Sequence, residues 1–212
     1  MGCIAPSAVV SPGAAAAFGL VAEAVIASRY LAHVGRASFF PASTKDFQDI
    51  SIGFGNTTLF IAFLKANNKL SVTQLTSLSA AGLVSIPDLM THDPPRSREF
   101  YEIKPNSVDG RVAGQAKVAS LSALFSFLGL GYRPGTRWKP TERIVLWSGF
   151  IVGARIEAIL SFFSSPTVDG LILYELCIEG ELAKALERIA LSVLAATVIV
   201  LVLMASPILV AA

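Results

Sequence analysis

The sequence predicts a mixed α/β domain, and three observations carry the prediction. Two apolar segments, 83–90 and 99–104, flank a polar turn in the manner of an antiparallel hairpin. The next segment, 112–128, places Val118, Leu121, Leu124, Phe125 and Leu128 at helical spacing. Beyond it, 144–147, 154–163 and 171–176 are short β-type apolar runs separated by Gly, Ser and Pro, suited to extending one sheet.

The hairpin carries the chemistry. Its first segment ends in Ile86-Pro87-Asp88-Leu89-Met90 and its second contains Phe100-Tyr101-Glu102-Ile103-Lys104-Pro105, with thirteen residues between Asp88 and Glu102. Thr91 to Arg98, with its Asp-Pro-Pro, supplies the turn. Side chains two apart on a strand share a face, so Glu102 and Lys104 stand together while Tyr101 and Ile103 point the other way. With Asp88 on the partner strand, two carboxylates and one ammonium converge. Hard oxygen ligands suit Mg²⁺ or Mn²⁺, with water and phosphate filling the other positions. Such a metal activates water and stabilises charge on a phosphoryl oxygen, and Lys104 orients the nucleophile or neutralises that charge. The matching reaction is phosphodiester hydrolysis. The plainer reading of the same residues is an exposed hairpin with a weak Glu102–Lys104 ion pair and Asp88 capping a turn.

Pro87-Asp88 followed by Glu102-Ile103-Lys104 resembles the signature of the PD-(D/E)XK superfamily, the restriction-endonuclease-like nucleases. The resemblance covers roughly residues 84 to 130. It implies an αβββαβ core, here with added N-terminal helices and a hydrophobic C-terminal helix, and a helix after the Glu-x-Lys strand whose early polar residues aim at the site. Gln115 and Lys117 stand at that place in 110–125. The implied roles are metal ligation by Asp88 and Glu102, catalysis by these two with Lys104 and Gln115, and substrate contact through Arg98, Arg111 and Lys117. Some members carry a third acidic ligand on the helix before the sheet, which here designates Glu23. DNA is the implied substrate ahead of RNA. A small nuclease with membrane-active sequence also resembles bacterial effector toxins, delivered to act in a target cell's cytoplasm and countered by an immunity protein.

Composition limits these expectations. Apolar residues make up 53% of the 212 and charged residues 15%, and the mean hydropathy of +0.63 exceeds that of an ordinary soluble enzyme. A net charge of +2 creates no global basic field, so nucleic-acid contact rests on local patches. Arg96, Arg98, Lys104, Arg111 and Lys117 cluster near the site, and Arg133, Arg137, Lys139 and Arg143 follow the helix. The length divides into an N-terminal helical region (1–70), a core (71–178) and a hydrophobic helix (179–212). Within 1–82, short helices are expected over 56–65 and 71–82, with Ser71 as N-cap and Gly82 as stop.

The termini differ. Residues 189–212 lack charge over 24 positions behind Lys184, Glu187 and Arg188. At ~1.5 Å per residue such a helix spans a bilayer core of about 30 Å. A membrane span is therefore expected there; the alternatives are a core helix or a segment needing a chaperone. Residues 14–27 are interrupted by Glu23 and closed by Arg29 and His33, which suits an amphipathic or buried helix. The N-terminus lacks a secretory signal's basic start and cleavage site, and Pro6 breaks the myristoylation pattern after Gly2. Cys3 and Cys177 lie far apart in the chain and suggest neither a disulfide framework nor a zinc set. His33 and His92 lack metal-ligand spacing, and no dinucleotide, phosphate-loop or serine-hydrolase motif is complete. The reading from a second class is a non-catalytic membrane-associated protein acting through 189–212.

Overall fold

The structure, a computed structural model, describes residues 2–8, 11–34, 60, 63–65, 67–74, 76, 86–93, 97–151, 154–180 and 196–200. Its strands are β1 (Gly2–Ile4), β2 (Leu89–Asp93), β3 (Ser97–Pro105), β4 (Arg133–Pro134), β5 (Thr141–Ile151), β6 (Ala154–Ser164) and β7 (Leu171–Gly180). Two long helices accompany them, α1 (Pro12–Val34) and α2 (Val108–Phe127). They form a mixed α/β architecture around one sheet in the order β2-β3-β7-β6-β5.

The topology follows from two kinds of connection. β2 and β3 form the expected antiparallel hairpin, with Leu89 opposite Tyr101 and Asp93 opposite Ser97. From β3 the chain crosses through α2 and eventually returns as β7, parallel to β3 with Glu102 opposite Leu171, as a parallel pair requires. β5, β6 and β7 then make an antiparallel meander. The apolar runs after α2 thus extend the sheet. β7 lies between β3 and β6, and its near-continuous burial is the pattern of a strand covered on both faces.

The first strand is shifted from the expected 83–90. It begins at Leu89 and runs on through Thr91, His92 and Asp93, residues the sequence assigns to the turn. His92 is held there through Nδ1, 2.6 Å from the Tyr132 hydroxyl. β2 starts at Leu89, so among the described residues its pairing with β3 reaches no further than Tyr101. Asp88 sits in the notch just past that point.

The helices cover opposite faces. Tyr30 of α1 packs on Tyr101 with ring centroids 5.2 Å apart, and Phe18 lies 6.3 Å from Tyr174. The Tyr30 hydroxyl also hydrogen-bonds Thr91 Oγ1. Phe125 of α2 packs on Phe100 at 5.3 Å, and Phe100 and Tyr101 are strand neighbours pointing apart. α2 opens with Ser107 as N-cap, its hydroxyl accepting from the Gly110 N–H at 3.0 Å. Gly110, Gly114, Val118, Leu121 and Phe125 form its buried stripe.

Two findings concern the termini. Cys3 and Cys177 occupy paired positions on β1 and β7 and form a disulfide, so their distance in sequence is no distance in space. Among the described residues α1 alone is long and apolar enough to cross a membrane, yet Phe18, Val21, Ala22, Ile26 and Tyr30 bury one side of it, as a core helix does. Of the expected C-terminal helix only 196–200 is described; it is helical, and Val198 and Ile199 are buried in the hydrophobic core. The rest of 189–212, most of 56–65 and part of 71–82 lie outside the described residues.

Candidate active site

Four side chains meet at the notch. The pairing of β2 with β3 reaches Tyr101, and past it the Ile103 N–H donates to Asp88 Oδ2 at 2.7 Å. This backbone bond fixes Asp88 next to Glu102, which is fully buried. Lys104 Nζ donates to Glu102 Oε1 at 2.9 Å, to the Ile103 carbonyl at 2.9 Å and to Asp88 Oδ2 at 3.4 Å. Lys117 Nζ donates to the same Glu102 oxygen at 2.6 Å and to Asp88 Oδ1 at 3.3 Å. Glu102 Oε2 is buried and meets no donor among the described residues.

The close approach of α2 brings Lys117 within reach. A Cβ on Gly114 would lie 2.5 Å from Leu171 Cδ1 and 3.1 Å from Lys104 Cγ, so glycine is what lets this turn press against β3 and β7. Lys117 stands one turn further along the same side. Gln115 instead lies on the exposed side of the helix, and no contact among the described residues joins it to the carboxylates.

Electrostatics mark the pair as unusual. Burial, with the neighbouring Asp88 charge, pushes Glu102 up to about 9. Burial acts on Asp88 in the same sense but is outweighed by a hydrogen bond from Glu102, by Lys104 and Lys117 and by the Ile103 N–H, so Asp88 is held below the usual carboxylate range. The two acids therefore share one proton at neutral pH, with Glu102 as its holder, because two touching carboxylates do not both ionise cheaply. Lys104 loses solvation by burial, but Asp88 and Glu102 more than compensate and hold it charged.

Glu23 completes the setting from α1. Burial, then the charge of Asp88, raises it to about 7, with Lys104 and Lys117 opposing. It lines a cavity of about 680 Å³ with Gly13, Ala16, Gly19, Leu20 and Tyr174. Tyr174, pushed up to about 12 by burial and by Glu23, was not singled out by sequence. Its position on β7, opposite Pro105 just past Lys104, depends on a parallel pairing that spacing does not reveal.

The structure thus brings together Asp88, Glu102, Lys104 and Lys117 and sets Glu23 close enough for its charge to be felt. It leaves Arg111 on the first turn of α2, exposed and bound to Asn106 Oδ1 at 2.9 and 2.6 Å. Arg98 lies six residues before Lys104 on β3, beside Gly131. Arg143 pairs with Glu179 at 2.6 Å and Lys139 with Asp169 at 4.0 Å, both at exposed positions. Arg96 lies outside the described residues.

No protein family, curated protein or solved structure matches this chain.

Proposed function

We propose that the protein is a metal-dependent nuclease that hydrolyses phosphodiester bonds, with DNA as substrate. The observation that carries this reading is the meeting of Asp88, Glu102 and Lys104 around the Ile103 N–H, just past the end of the β2–β3 pairing. The residues fit Mg²⁺ or Mn²⁺: two carboxyl groups from adjacent segments offer hard oxygens, and the buried Glu102 Oε2 meets no donor among the described residues. Asp88 and Glu102 would hold the ion, while Glu23, whose carboxylate forms no cluster with theirs at ligand distance, acts on the site through its charge. When bound, it supplies Lewis acidity toward a phosphoryl oxygen and acidifies a coordinated water.

The remaining roles belong to the chain itself. Lys104, pinned by the Ile103 carbonyl, presents a fixed positive charge to the reacting phosphate without having to reorganise. The Ile103 N–H holds Asp88 in one orientation, and burial of Glu102 lowers the local dielectric in which these charges act. The hairpin β2–β3, the α2 crossover to a parallel β7 and a preceding α1 support the restriction-endonuclease-like arrangement. That core asks for a further strand ahead of β2, where residues 77–85 lie outside the described ones.

A bacterial effector setting, with an immunity protein as partner and membrane association through 189–212, belongs to the same proposal and rests on the sequence resemblance. The test is incubation of purified protein with supercoiled plasmid and Mg²⁺ or Mn²⁺, with and without chelator, beside Asp88→Ala and Lys104→Ala. Nicking that needs the ion and both residues is the expected outcome. Intact plasmid with folded wild-type protein under several divalent ions would overturn the reading.

A further inference from the structure

The two lysines at the notch are not equivalent. Lys104 comes from β3 itself and has three acceptors, one of them the backbone carbonyl of Ile103. Lys117 comes from α2, is partly exposed, and its described hydrogen bonds go to Asp88 Oδ1 and Glu102 Oε1 alone. Its ammonium nitrogen therefore stands between the two oxygens that different segments offer to a cation. Charge balance points the same way. Two carboxyl groups facing two ammonium groups have no negative charge in excess, and Glu23 adds at most one, so a divalent ion cannot enter at low cost while both lysines stay. Lys104 is tied to its own strand. Lys117 is not, and its four-carbon stem allows the ammonium to swing into water.

We propose that Lys117 is a resident counter-ion which a divalent cation displaces, so that metal loading and release of the Lys117 ammonium are one event. The proposal rests on the metal-site reading above and adds to it an order of events. Before loading, Lys117 adds a second ammonium to the two acids, donating to Asp88 Oδ1 and Glu102 Oε1. After loading, its ammonium is free at the mouth of the site, where a polyanionic backbone would pass. A substrate phosphate then favours the loaded state twice, through the ion and through the freed lysine.

The test compares the full chain with Lys117→Met and Lys117→Arg, measuring Mn²⁺ binding by calorimetry and melting temperature with and without Mn²⁺. Lys117→Met is expected to bind Mn²⁺ at least about tenfold more tightly than wild type, since the competing charge is gone. Without metal it is expected to melt lower than wild type, and Mn²⁺ should restore it by more than it shifts wild type. Lys117→Arg, which keeps the charge, should bind no more tightly than wild type. If both wild type and Lys117→Met bind Mn²⁺ with equal affinity, the counter-ion role is overturned while the metal site stands. If neither binds Mn²⁺, the metal site falls and the exchange with it. An unchanged metal-free melting temperature in Lys117→Met would also refute the proposal.

Discussion

Strand β3 carries two buried glutamates three residues apart, and their surroundings could hardly differ more. Glu99, at 2% exposure, accepts from the Tyr101 hydroxyl at 3.1 Å and from the Thr136 N–H and hydroxyl at 3.3 Å each. Every partner is neutral, and both of its oxygens are engaged. Glu102, fully buried, faces two ammonium groups on one oxygen and the acid Asp88, and its other oxygen meets no donor among the described residues. The first arrangement spends its polar groups on holding the Tyr30–Tyr101–Trp138 region together. The second keeps opposed charges in a largely buried notch, costly for folding but suited to gripping a cation. Burial therefore does not set these two carboxylates apart; the charge of their partners does.

Activity should break the comparison most sharply. Glu102→Gln is expected to lower plasmid nicking by about 100-fold or more while leaving the melting temperature at pH 8 unchanged or raised. Glu99→Gln should leave nicking near wild type. Equal loss in both variants, measured on folded protein, would remove the distinction.

Next in size is the disulfide. β1 pairs with β7 at Leu176–Ile178, just beyond the stretch that pairs with Glu102 to Pro105, and α1 follows β1 with Glu23. Reduction, or Cys3→Ser, is expected to cost about 2–4 kcal/mol of stability. Hydrogen exchange should rise in α1 and around Lys104 more than around Glu99. Uniform exchange along β3 would show that the tether does not favour one end.

Two smaller effects sharpen each end separately. Glu99→Gln should cost about 1–3 kcal/mol in denaturant unfolding, because one donor meets the wrong group in a buried network. Gly114→Ala should cost a similar ~1–3 kcal/mol by pushing α2 away from Leu171 and Lys104, and it should weaken Lys117's hold on Glu102.

The smallest effect is in pH. Glu102 at about 9 and Glu23 at about 7 are both raised above their ordinary 4.5, so the folded state holds protons that the unfolded chain has released. The stability they contribute is complete below about 4.5 and is lost as pH rises toward those values. Melting temperature should therefore fall between pH 6 and pH 9. Glu102→Gln should flatten that decline. Mn²⁺ affinity should rise over the same interval, since the ion competes with the Glu102 proton.

Much of the notch was legible in the sequence because its geometry is local. Period-2 alternation puts Glu102 and Lys104 on one face, and a hairpin brings Asp88 opposite. The helix after Lys104 could be read from its apolar spacing. Choosing between Gln115 and Lys117 could not, because it depends on which side of α2 meets the sheet, and Gly114 sets that through contacts with Leu171 and Lys104. The start of β2 was misplaced because Asp88 takes a backbone N–H with its side chain, ending the ladder where strand propensity continues. Cys3–Cys177 and Tyr174 depend on pairings across the whole chain, which no local pattern encodes.

The most direct test of the site is the anomalous scattering of a crystal soaked in Mn²⁺ at pH 8 to 9, where Glu102 gives up its proton most readily. The expected map has one Mn²⁺ peak in contact with carboxylate oxygens of Asp88 and Glu102, with the Lys117 ammonium withdrawn. A map with no peak at the notch, and Lys117 still bound to both acids, would contradict it.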